Sequence, residues 1–296
     1  MKRMLATPLI LLAISCTTFR DSGDLGAELD RLIASAGEDK SVGIALWDLE
    51  TGFQLARSGD EVMHAASTMK VPVMLAVMEA VDGGRLSLEH PVMVRNQFAS
   101  IVDGSAFVLL AEEDGDPELY EKTGETVTVE ELLRRMIVRS SNLATNLLIE
   151  LVGPGAVMDL MKRLGADDIR VLRGVEDEKA YEAGLNNVTS AWDMMLVMKA
   201  IAEQKAVSPG ASRTMVEILR GQEFRSKIPA GVPEGIVVAN KTGNITKISH
   251  DAAIVYPPGR RPYVLVVLTR GFQDPGPASD LIAAISRAVW QHLAAH

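Results

Sequence analysis

Cysteine is nearly absent from this sequence, because Cys16 is the only one among 296 residues. A lone cysteine excludes an internal disulfide. Aromatic residues make up 4% of the chain, and 30 lysines and arginines stand against 39 aspartates and glutamates, for a formal net charge of −9. An acidic chain without a basic stripe, and with few rings for base stacking, is not expected to bind nucleic acid. The five histidines show no spacing typical of a metal site, so we predict neither a metal nor another cofactor.

The first apolar run lies at the N-terminus and is too short to be a stable membrane anchor. Leu5–Ile14 follows the positively charged Met1-Lys2-Arg3, a pattern typical of a secretory signal peptide. We therefore predict a signal over residues 1–15 and an exported protein of the periplasm or outer envelope. The residues before Cys16 are similar to a lipoprotein cleavage box. A lipid anchor at Cys16 and ordinary cleavage nearby both stay open.

Hydrophobic periodicity predicts strands at both ends of the remaining chain and helices between them. A helix over Asp24–Ala36 precedes two strands, Val42–Leu49 and Phe53–Arg57. Three more strands follow near the end of the chain, before a closing helix: Ile236–Lys241, Asp251–Tyr256, Pro262–Arg270 and helix Ala278–His296. This pattern predicts an α+β fold, an α/β sandwich in which both chain ends build an antiparallel five-stranded sheet flanked by helices. An all-helical lobe completes it.

We divide the chain accordingly into a tether over residues 16–24 and one domain over 25–296. Residues 25–66 and 225–296 form its α/β part, and residues 67–224 form its helical part. Within the helical part, helices are predicted at Leu143–Val152, Ala156–Leu164, Ala191–Gln204 and Ala211–Arg220, with a capping box at Thr128 opening an earlier one. The acidic run 111–118 is predicted to be a solvated loop, because its spacing does not fit a calcium loop. Residues 173–187 show no clean period and are predicted to be a long surface loop.

The central stretch of the sequence is His64–Met78, where Ser67 and Lys70 open an apolar helix. Pro72 is tolerated in a first helical turn, and residues three apart share one face, so the hydroxyl and the amine are expected side by side. An amine whose pKa is lowered by burial can accept the proton of a neighbouring hydroxyl. The alternative is that Ser67 only caps the helix and that Lys70 is solvated.

Two further segments favour the chemical interpretation over the structural one. Ser140-Ser141-Asn142 opens a second apolar helix, and Lys241-Thr242-Gly243 ends a predicted strand. The ordered set S-x-x-K, S-x-N and K-T-G resembles the penicillin-recognising serine hydrolases, and most closely the class A β-lactamases. The stretch Phe224–Gly231 resembles the matching class A segment, so the resemblance covers roughly residues 25 to 296.

The resemblance implies a role for each motif residue. Ser67 would be the nucleophile, and its neighbour Lys70 would share the role of proton acceptor, because the base for acylation is disputed in this family. Ser140 would carry a proton to the departing nitrogen, and Lys241 would assist that step electrostatically. The substrate would be held by Asn142, Thr242 and Gly243. The backbone N–H groups of Ser67 and Asn244 would together bind the oxyanion. The implied partner is a small molecule, a β-lactam or a peptidoglycan-like acyl donor, bound by a monomer.

Two positions depart from the class A pattern. Class A enzymes deacylate with a glutamate in an E-x-x-L-N loop, which Glu182-Ala183-Gly184-Leu185-Asn186 matches literally, whereas counting from Arg173 favours Glu178. We place Glu182 first among Glu176, Glu178 and Glu182, and the alternative is that none of them holds a water. Class A enzymes commonly carry an arginine on the strand after K-T-G. Lys247 or His250 could replace it here, or the substrate differs.

Three functions stay open on this basis. The first is an exported β-lactamase with a serine acyl-enzyme. The second is a related serine hydrolase, such as a peptidoglycan D-Ala peptidase or an esterase, with poor lactam turnover. The third is a non-catalytic envelope protein that binds penicillin or peptidoglycan through an inherited pocket.

Overall fold

The computed structural model describes residues 22–293. The predicted signal peptide, Cys16 and most of the predicted tether therefore lie outside the described residues. The strands are, in chain order, β1 (Ser41–Asp48), β2 (Gln54–Arg57), β3 (Met63–His64), β4 (Pro91–Met93), β5 (Phe98–Ala99), β6 (Ala106–Phe107), β7 (Thr126–Thr128), β8 (Val188–Thr189), β9 (Val237–Ile245), β10 (Ile248–Tyr256) and β11 (Tyr263–Arg270). The helices are α1 (Ser22–Ser35), α2 (Lys70–Asp82), α3 (Glu118–Glu121), α4 (Val129–Val138), α5 (Asn142–Val152), α6 (Pro154–Arg163), α7 (Glu178–Glu182), α8 (Ala191–Ala202), α9 (Pro209–Arg220) and α10 (Pro275–Leu293).

The five longest strands form one sheet in the order β2-β1-β11-β10-β9, and every neighbouring pair is antiparallel. Its first two strands come from the beginning of the chain and the other three from the end. The predicted five-stranded sheet built from both chain ends is therefore confirmed.

Both faces of this sheet are buried. Along β11, Leu265 and Val267 point into the core that contains α1 and α10, whereas Val264 and Val266 point into the core of the helical lobe. Because both faces are covered, β11 is a continuous apolar run rather than an alternating one.

Helix α2 is the central element of the helical lobe. Its residues from Lys70 to Met78 are all buried, and it packs against α4, α5, α6 and α9. A helix that is apolar on every side must be enclosed by others to be stable. The Ser67 segment is consequently attached to the most enclosed helix of the lobe.

The predicted helices and strands agree with the structure to within a few residues at most ends. Thr128 begins α4 as predicted, since its hydroxyl accepts a hydrogen bond from the Glu131 amide at 3.1 Å. One boundary matters for the site. Strand β9 continues to Ile245, so the K-T-G motif lies within the strand and not at its end.

The acidic run 111–118 is not the solvated loop that we predicted. Asp114 and Asp116 are buried, and Asp116 forms ion pairs with Arg135 at 2.7 Å and Arg139 at 3.1 Å. Asp116 is held by arginines of α4 and its C-terminal end, which local composition does not reveal.

Candidate active site

Ser67 lies in a 3₁₀ turn, Ala66–Met69, directly before α2. Met69 is the N-cap of α2, and no side chain caps that helix, so the alternative role of Ser67 as a helix cap is wrong. The turn lies against β9. A Cβ atom at Gly243 would stand 3.1 Å from the backbone nitrogens of both Ser67 and Thr68, so only glycine permits this close approach without a shift.

Lys70 is fully buried, not solvated. Its Nζ donates hydrogen bonds to the Ser140 carbonyl at 2.6 Å, to Asn142 Oδ1 at 2.7 Å and to Ser140 Oγ at 3.2 Å. Burial lowers the pKa of Lys70 to about 7, although Asp114 and Glu176 oppose the shift. A neutral amine is therefore accessible near neutral pH.

Ser140 is the meeting point of two lysines. Its backbone has a φ of +63°, an uncommon conformation for a non-glycine residue, which turns the chain into α5. Lys241 Nζ donates to Ser140 Oγ at 3.0 Å and to the Thr242 carbonyl at 2.8 Å. Lys241 is also fully buried, and both its burial and the positive charge of Lys70 lower its pKa.

Asn142 connects this lysine pair to a carboxylate. Its Oδ1 accepts from Lys70, and its Nδ2 donates to Glu176 Oε1 at 2.6 Å. Burial is the largest cause that raises the pKa of Glu176, and the neighbouring Asp114 and Glu113 raise it further. A carboxylate of raised pKa beside a lysine of lowered pKa is an arrangement suited to proton transfer.

The backbone before Glu176 is held by the side chain of Asn146. Val175 N donates to Asn146 Oδ1 at 2.7 Å, and Asn146 Nδ2 donates to the Val175 carbonyl at 3.0 Å. A Cβ atom at Gly174 would stand 2.5 Å from Asn146 Oδ1, so this contact requires glycine there.

The three candidate glutamates lie in different places in the structure. Glu182 is exposed at the end of α7, and Glu178 is exposed at its start. The Leu-Asn part of the literal motif folds back on Arg173, whose guanidinium donates to the Leu185 carbonyl at 3.0 Å and to Asn186 Oδ1 at 3.3 Å. Glu176 is the member of this set that reaches the Ser140 cluster.

Of the two predicted replacements for the class A arginine, His250 does not fit that role. His250 is fully buried, and its Nδ1 accepts from the Thr269 amide while its Nε2 donates to the His64 carbonyl. Burial lowers the pKa of His250 to about 4, so the ring is neutral at pH 7. Lys247 is exposed in the turn between β9 and β10.

Lys227 is a third buried lysine, and our sequence analysis gave it no role. Its Nζ donates to Asn244 Oδ1 at 2.7 Å and to the His250 carbonyl at 2.9 Å. Burial lowers the pKa of Lys227 to about 8, with Asp251 opposing the shift. The sequence feature that could have revealed Lys227 is a lysine directly before the apolar pair Ile228-Pro229.

Asp114 is a second residue that the sequence analysis missed. Its Oδ2 accepts from the amides of Asn142 and Leu143, both at 2.9 Å, and from the Tyr120 hydroxyl at 2.8 Å. A carboxylate at the N-terminus of α5 satisfies amides that have no partner within the helix. Asp114 therefore fixes the turn that carries Ser140 and Asn142.

No group of three or more metal-ligating side chains is found in residues 22–293. The lysines, hydroxyls and amide of this site are donors and proton carriers, not a typical ligand set for a divalent cation. The arrangement is chemically suited to activating a serine and moving its proton.

Comparison with known proteins agrees with this geometry. A family model described as the beta-lactamase enzyme family matches residues 24–293. The extended-spectrum beta-lactamase PER-1 of Pseudomonas aeruginosa is 24% identical over 309 residues, covering 98% of this chain and 94% of the relative. The structure of an ancestral class A beta-lactamase is 27% identical with a TM-score of 0.77, covering 90% of this chain and 99% of that one. A PBP-A variant, solved as an acyl-enzyme complex with penicillin G, is 28% identical with a TM-score of 0.76, covering 92% of this chain and 97% of that one.

Proposed function

Because this chain belongs to the beta-lactamase enzyme family, we propose that it is an exported class A-type β-lactamase that hydrolyses β-lactams through an acyl-enzyme on Ser67. The class A resemblance drawn from the three motifs is confirmed by the ancestral class A structure and by PER-1.

The observation that carries the proposal is the convergence of three separate segments on Ser140. Lys70 and Lys241, which are 171 positions apart in the sequence, both donate to its hydroxyl. Two buried lysines on one serine are costly to maintain, because burial disfavours the charged form of each. Such a cluster, in which Lys70 lies three residues along the chain from the half-buried Ser67, is expected where it performs chemistry.

In the acylation step, a bond forms between Ser67 Oγ and the lactam carbonyl carbon, and the lactam C–N bond breaks. Lys70, in its neutral form, accepts the Ser67 proton. Ser140 donates its own proton to the departing nitrogen and is reprotonated from the lysine pair. The contacts of Lys70 and Lys241 with Ser140 Oγ provide the path by which the lysines reprotonate Ser140.

The negative charge that develops on the carbonyl oxygen requires donors fixed in advance. The amides of Ser67 and Asn244 are our candidates, because the Ser67 turn packs directly on β9 at Gly243. Removing one such donor typically slows acyl transfer by about 10²–10³-fold. Lys227 holds the Asn244 side chain and thus supports this end of the strand.

In the deacylation step, water attacks the ester carbonyl and the bond from that carbon to Ser67 Oγ breaks. Glu176 accepts a proton from the water, and a proton returns to the Ser67 oxygen. The contact of Glu176 with Asn142 and the raised pKa of Glu176 support this residue, and not Glu182, as the proton acceptor.

Intact-protein mass spectrometry after adding benzylpenicillin tests the proposal. We expect rapid acylation and release of hydrolysed penicillin, with no adduct on a Ser67→Ala variant. Ser279→Ala, which removes an exposed hydroxyl on α10, is the matched control and should turn over like the wild type. A wild type that neither forms an adduct nor hydrolyses the lactam would overturn the proposal. The starting mass also reports whether a lipid is attached to Cys16.

A penicillin-binding peptidase or esterase is the second candidate. It is favoured by the likeness to the PBP-A acyl-enzyme and by the position of the E-x-x-L-N sequence outside the Ser140 cluster. In that case the penicillin adduct on Ser67 would persist for many minutes in the same experiment. Release within seconds would exclude it.

A further inference from the structure

The β5–β6 hairpin, residues 98–107, lies against the loop that carries Glu176. Each of its strands has only two paired residues, and its base is closed by Phe98 and Phe107, whose ring centroids are 5.9 Å apart. So small a hairpin is not stable alone. The contacts of the hairpin therefore fix its position, and the hairpin in turn constrains the segments that it contacts.

One carboxylate joins the hairpin to this loop. Asp177 is 2% exposed, its Oδ1 accepts from Ser100 Oγ at 2.8 Å, and its Oδ2 accepts from the Ile101 amide at 2.9 Å. The same Oδ1 also accepts from the Ala180 amide at 3.1 Å and so caps α7. Charge-assisted bonds of this kind, made by a buried carboxylate, are among the stronger polar contacts in proteins.

A second contact between the two segments lies at the surface. Lys179 Nζ donates to Asp103 Oδ2 and to Ser105 Oγ, both at 2.7 Å. The side chains of Lys179 and Asp103 are about half exposed, at 52% and 47%. Exposed ion pairs of this kind contribute little to stability. Asp177 is thus the main connection.

Apolar packing anchors the base of the hairpin, because Phe98 is buried in the core of the helical lobe, but this packing is interrupted towards the loop. A cavity of about 180 Å³ separates the hairpin from the loop and from the junction of α5 and α6. Phe98, Ile101, Asn146 and Gly174 are among the residues that line it. Across a gap of this size, the hairpin and the loop lack the van der Waals contacts that would otherwise hold them together.

Glu176 lies between two anchors on adjacent residues. Asn146 holds Val175 on one side, and the hairpin holds Asp177 on the other. Glu176 itself has a φ of +63°, a left-handed conformation that is strained for a non-glycine residue. Such a backbone persists only where its surroundings hold it.

We propose that Ser100 is a positioning residue that, through Asp177, fixes Glu176 for attack of water on the acyl-enzyme. The proposal rests on the proposed function, because it assigns the hairpin to the deacylation step of that same site. Ser100 touches neither Ser67 nor its proton carriers in the contacts described above. Its loss should therefore slow deacylation and leave acylation unchanged.

The test compares Ser100→Ala with Ser100→Thr, which keeps the hydroxyl, and with Ser286→Ala. Ser286 is a buried serine on α10 whose hydroxyl donates to the Ile228 carbonyl at 2.8 Å, so its loss removes a similar buried bond elsewhere. Small displacements of a positioned group cost up to about 10²-fold in rate, and we expect Ser100→Ala to lengthen the acyl-enzyme lifetime about tenfold. Ser100→Thr should restore the wild-type lifetime, and Ser286→Ala should not change it.

A double-mutant cycle shows whether Ser100 acts through Glu176. In a Glu176→Gln background, Ser100→Ala should have no further effect on deacylation. An equal effect in both backgrounds, an unchanged lifetime in Ser100→Ala, or an equal effect of Ser286→Ala would each overturn the proposal.

Amide hydrogen exchange over residues 174–187 provides a readout that needs no substrate. Ser100→Ala should lose protection there while the sheet keeps it. Unchanged protection in the loop would overturn the positioning role even if the enzyme proved to be a β-lactamase. Lost protection in a protein that penicillin never acylates would refute the proposed function instead. If Ser100→Ala fails to fold, Asp177→Asn allows the same measurements, because it keeps an acceptor for Ser100 at Oδ1 and replaces the acceptor of the Ile101 amide by a donor.

Discussion

Lys70 can accept a proton only when its amine is neutral, and its surroundings make that form accessible. No aspartate or glutamate contacts its Nζ within the hydrogen bonds described, since its acceptors are a carbonyl, an amide and a hydroxyl. Neutral acceptors compensate burial less well than a carboxylate would. Burial therefore prevails over Asp114 and Glu176, and the pKa falls to about 7.

The acylation rate should consequently rise with pH through about 7. Below that pH, the fraction of neutral Lys70 falls about tenfold per pH unit, and kcat/KM for a chromogenic cephalosporin should fall with it. Lys70→Arg keeps the positive charge but cannot deprotonate, so we expect no measurable acylation at any pH from about 6 to about 9. A wild-type kcat/KM that stays level from about pH 8 down to about pH 5 would contradict this role.

The site residues divide into those that local spacing reveals and those that it does not. Ser67 and Lys70 share one turn, and Ser140 and Lys241 stand at the edges of strong apolar segments, so the sequence was sufficient to single them out. Glu176 was ranked below Glu182 because the literal spacing of a motif was used in place of its three-dimensional setting. Whether a loop glutamate faces the site depends on Asn146 and Asp177, which hold the loop from opposite sides.

Helix α5 presents Asn142 to the site, and its first turn is stabilised by two side chains. Ser141 is its N-cap and accepts from the Ala144 amide at 3.2 Å. Asp114 accepts from two more free amides, those of Asn142 and Leu143. The start of α5, where the S-x-N motif lies, is thus held by Asp114 of the acidic run 111–118.

Asp114→Ala should loosen this helix start. It removes the acceptor of two amides and of the Tyr120 hydroxyl. Bonds to a charged group contribute about 1.5–3 kcal/mol, and we expect the free energy of unfolding in urea to fall by about 2–3 kcal/mol. Acylation should slow as well, because Ser140 and Asn142 lose their fixed positions.

Glu112→Ala is the matched control for this prediction. Glu112 is an exposed carboxylate of the same acidic run, and exposed substitutions usually change stability by less than about 0.5 kcal/mol. Equal losses of stability in the two variants would show that the acidic run acts by general charge and not through α5.

Secondary-structure elements with a sustained period were predicted well, and the short ones were not. The apolar patterns of α2, β10 and β11 are long enough to be recognised even when the ends of these elements are misplaced. The hairpin over 98–107 and the helix α7 contain only a few residues each and have no period of their own. Their positions depend on single polar contacts, such as Asp177 with Ser100, between segments far apart in the chain.

Across the whole molecule, the helical lobe and the sheet enclose three lysines whose charged form is disfavoured by burial. Lys70 comes from the lobe, while Lys241 and Lys227 come from β9 and from the segment before it, and all three have a lowered pKa. Asp251, which is fully buried on β10 beside β9, opposes the shifts of Lys227 and Lys241. A molecule optimised only for stability would place apolar side chains here, so the site imposes a cost on the fold.

Lys70→Met should therefore make the protein more stable while abolishing acylation. The pKa of Lys70 is about 7 in the folded protein against 10.5 for an unperturbed lysine, so between these values the unfolded chain binds the extra proton. The pH-dependent cost of burying this amine is therefore absent above pH 10.5, and it grows as the pH falls towards about 7. Replacing buried ionic groups by apolar ones commonly adds about 1–4 kcal/mol, and we expect the variant to gain about 1–3 kcal/mol near pH 7. Urea unfolding at about pH 7 and about pH 9 should show this advantage shrinking as the pH rises. An advantage that grows with pH, or a variant less stable than the wild type near pH 7, would show that the hydrogen bonds of Lys70 outweigh its burial.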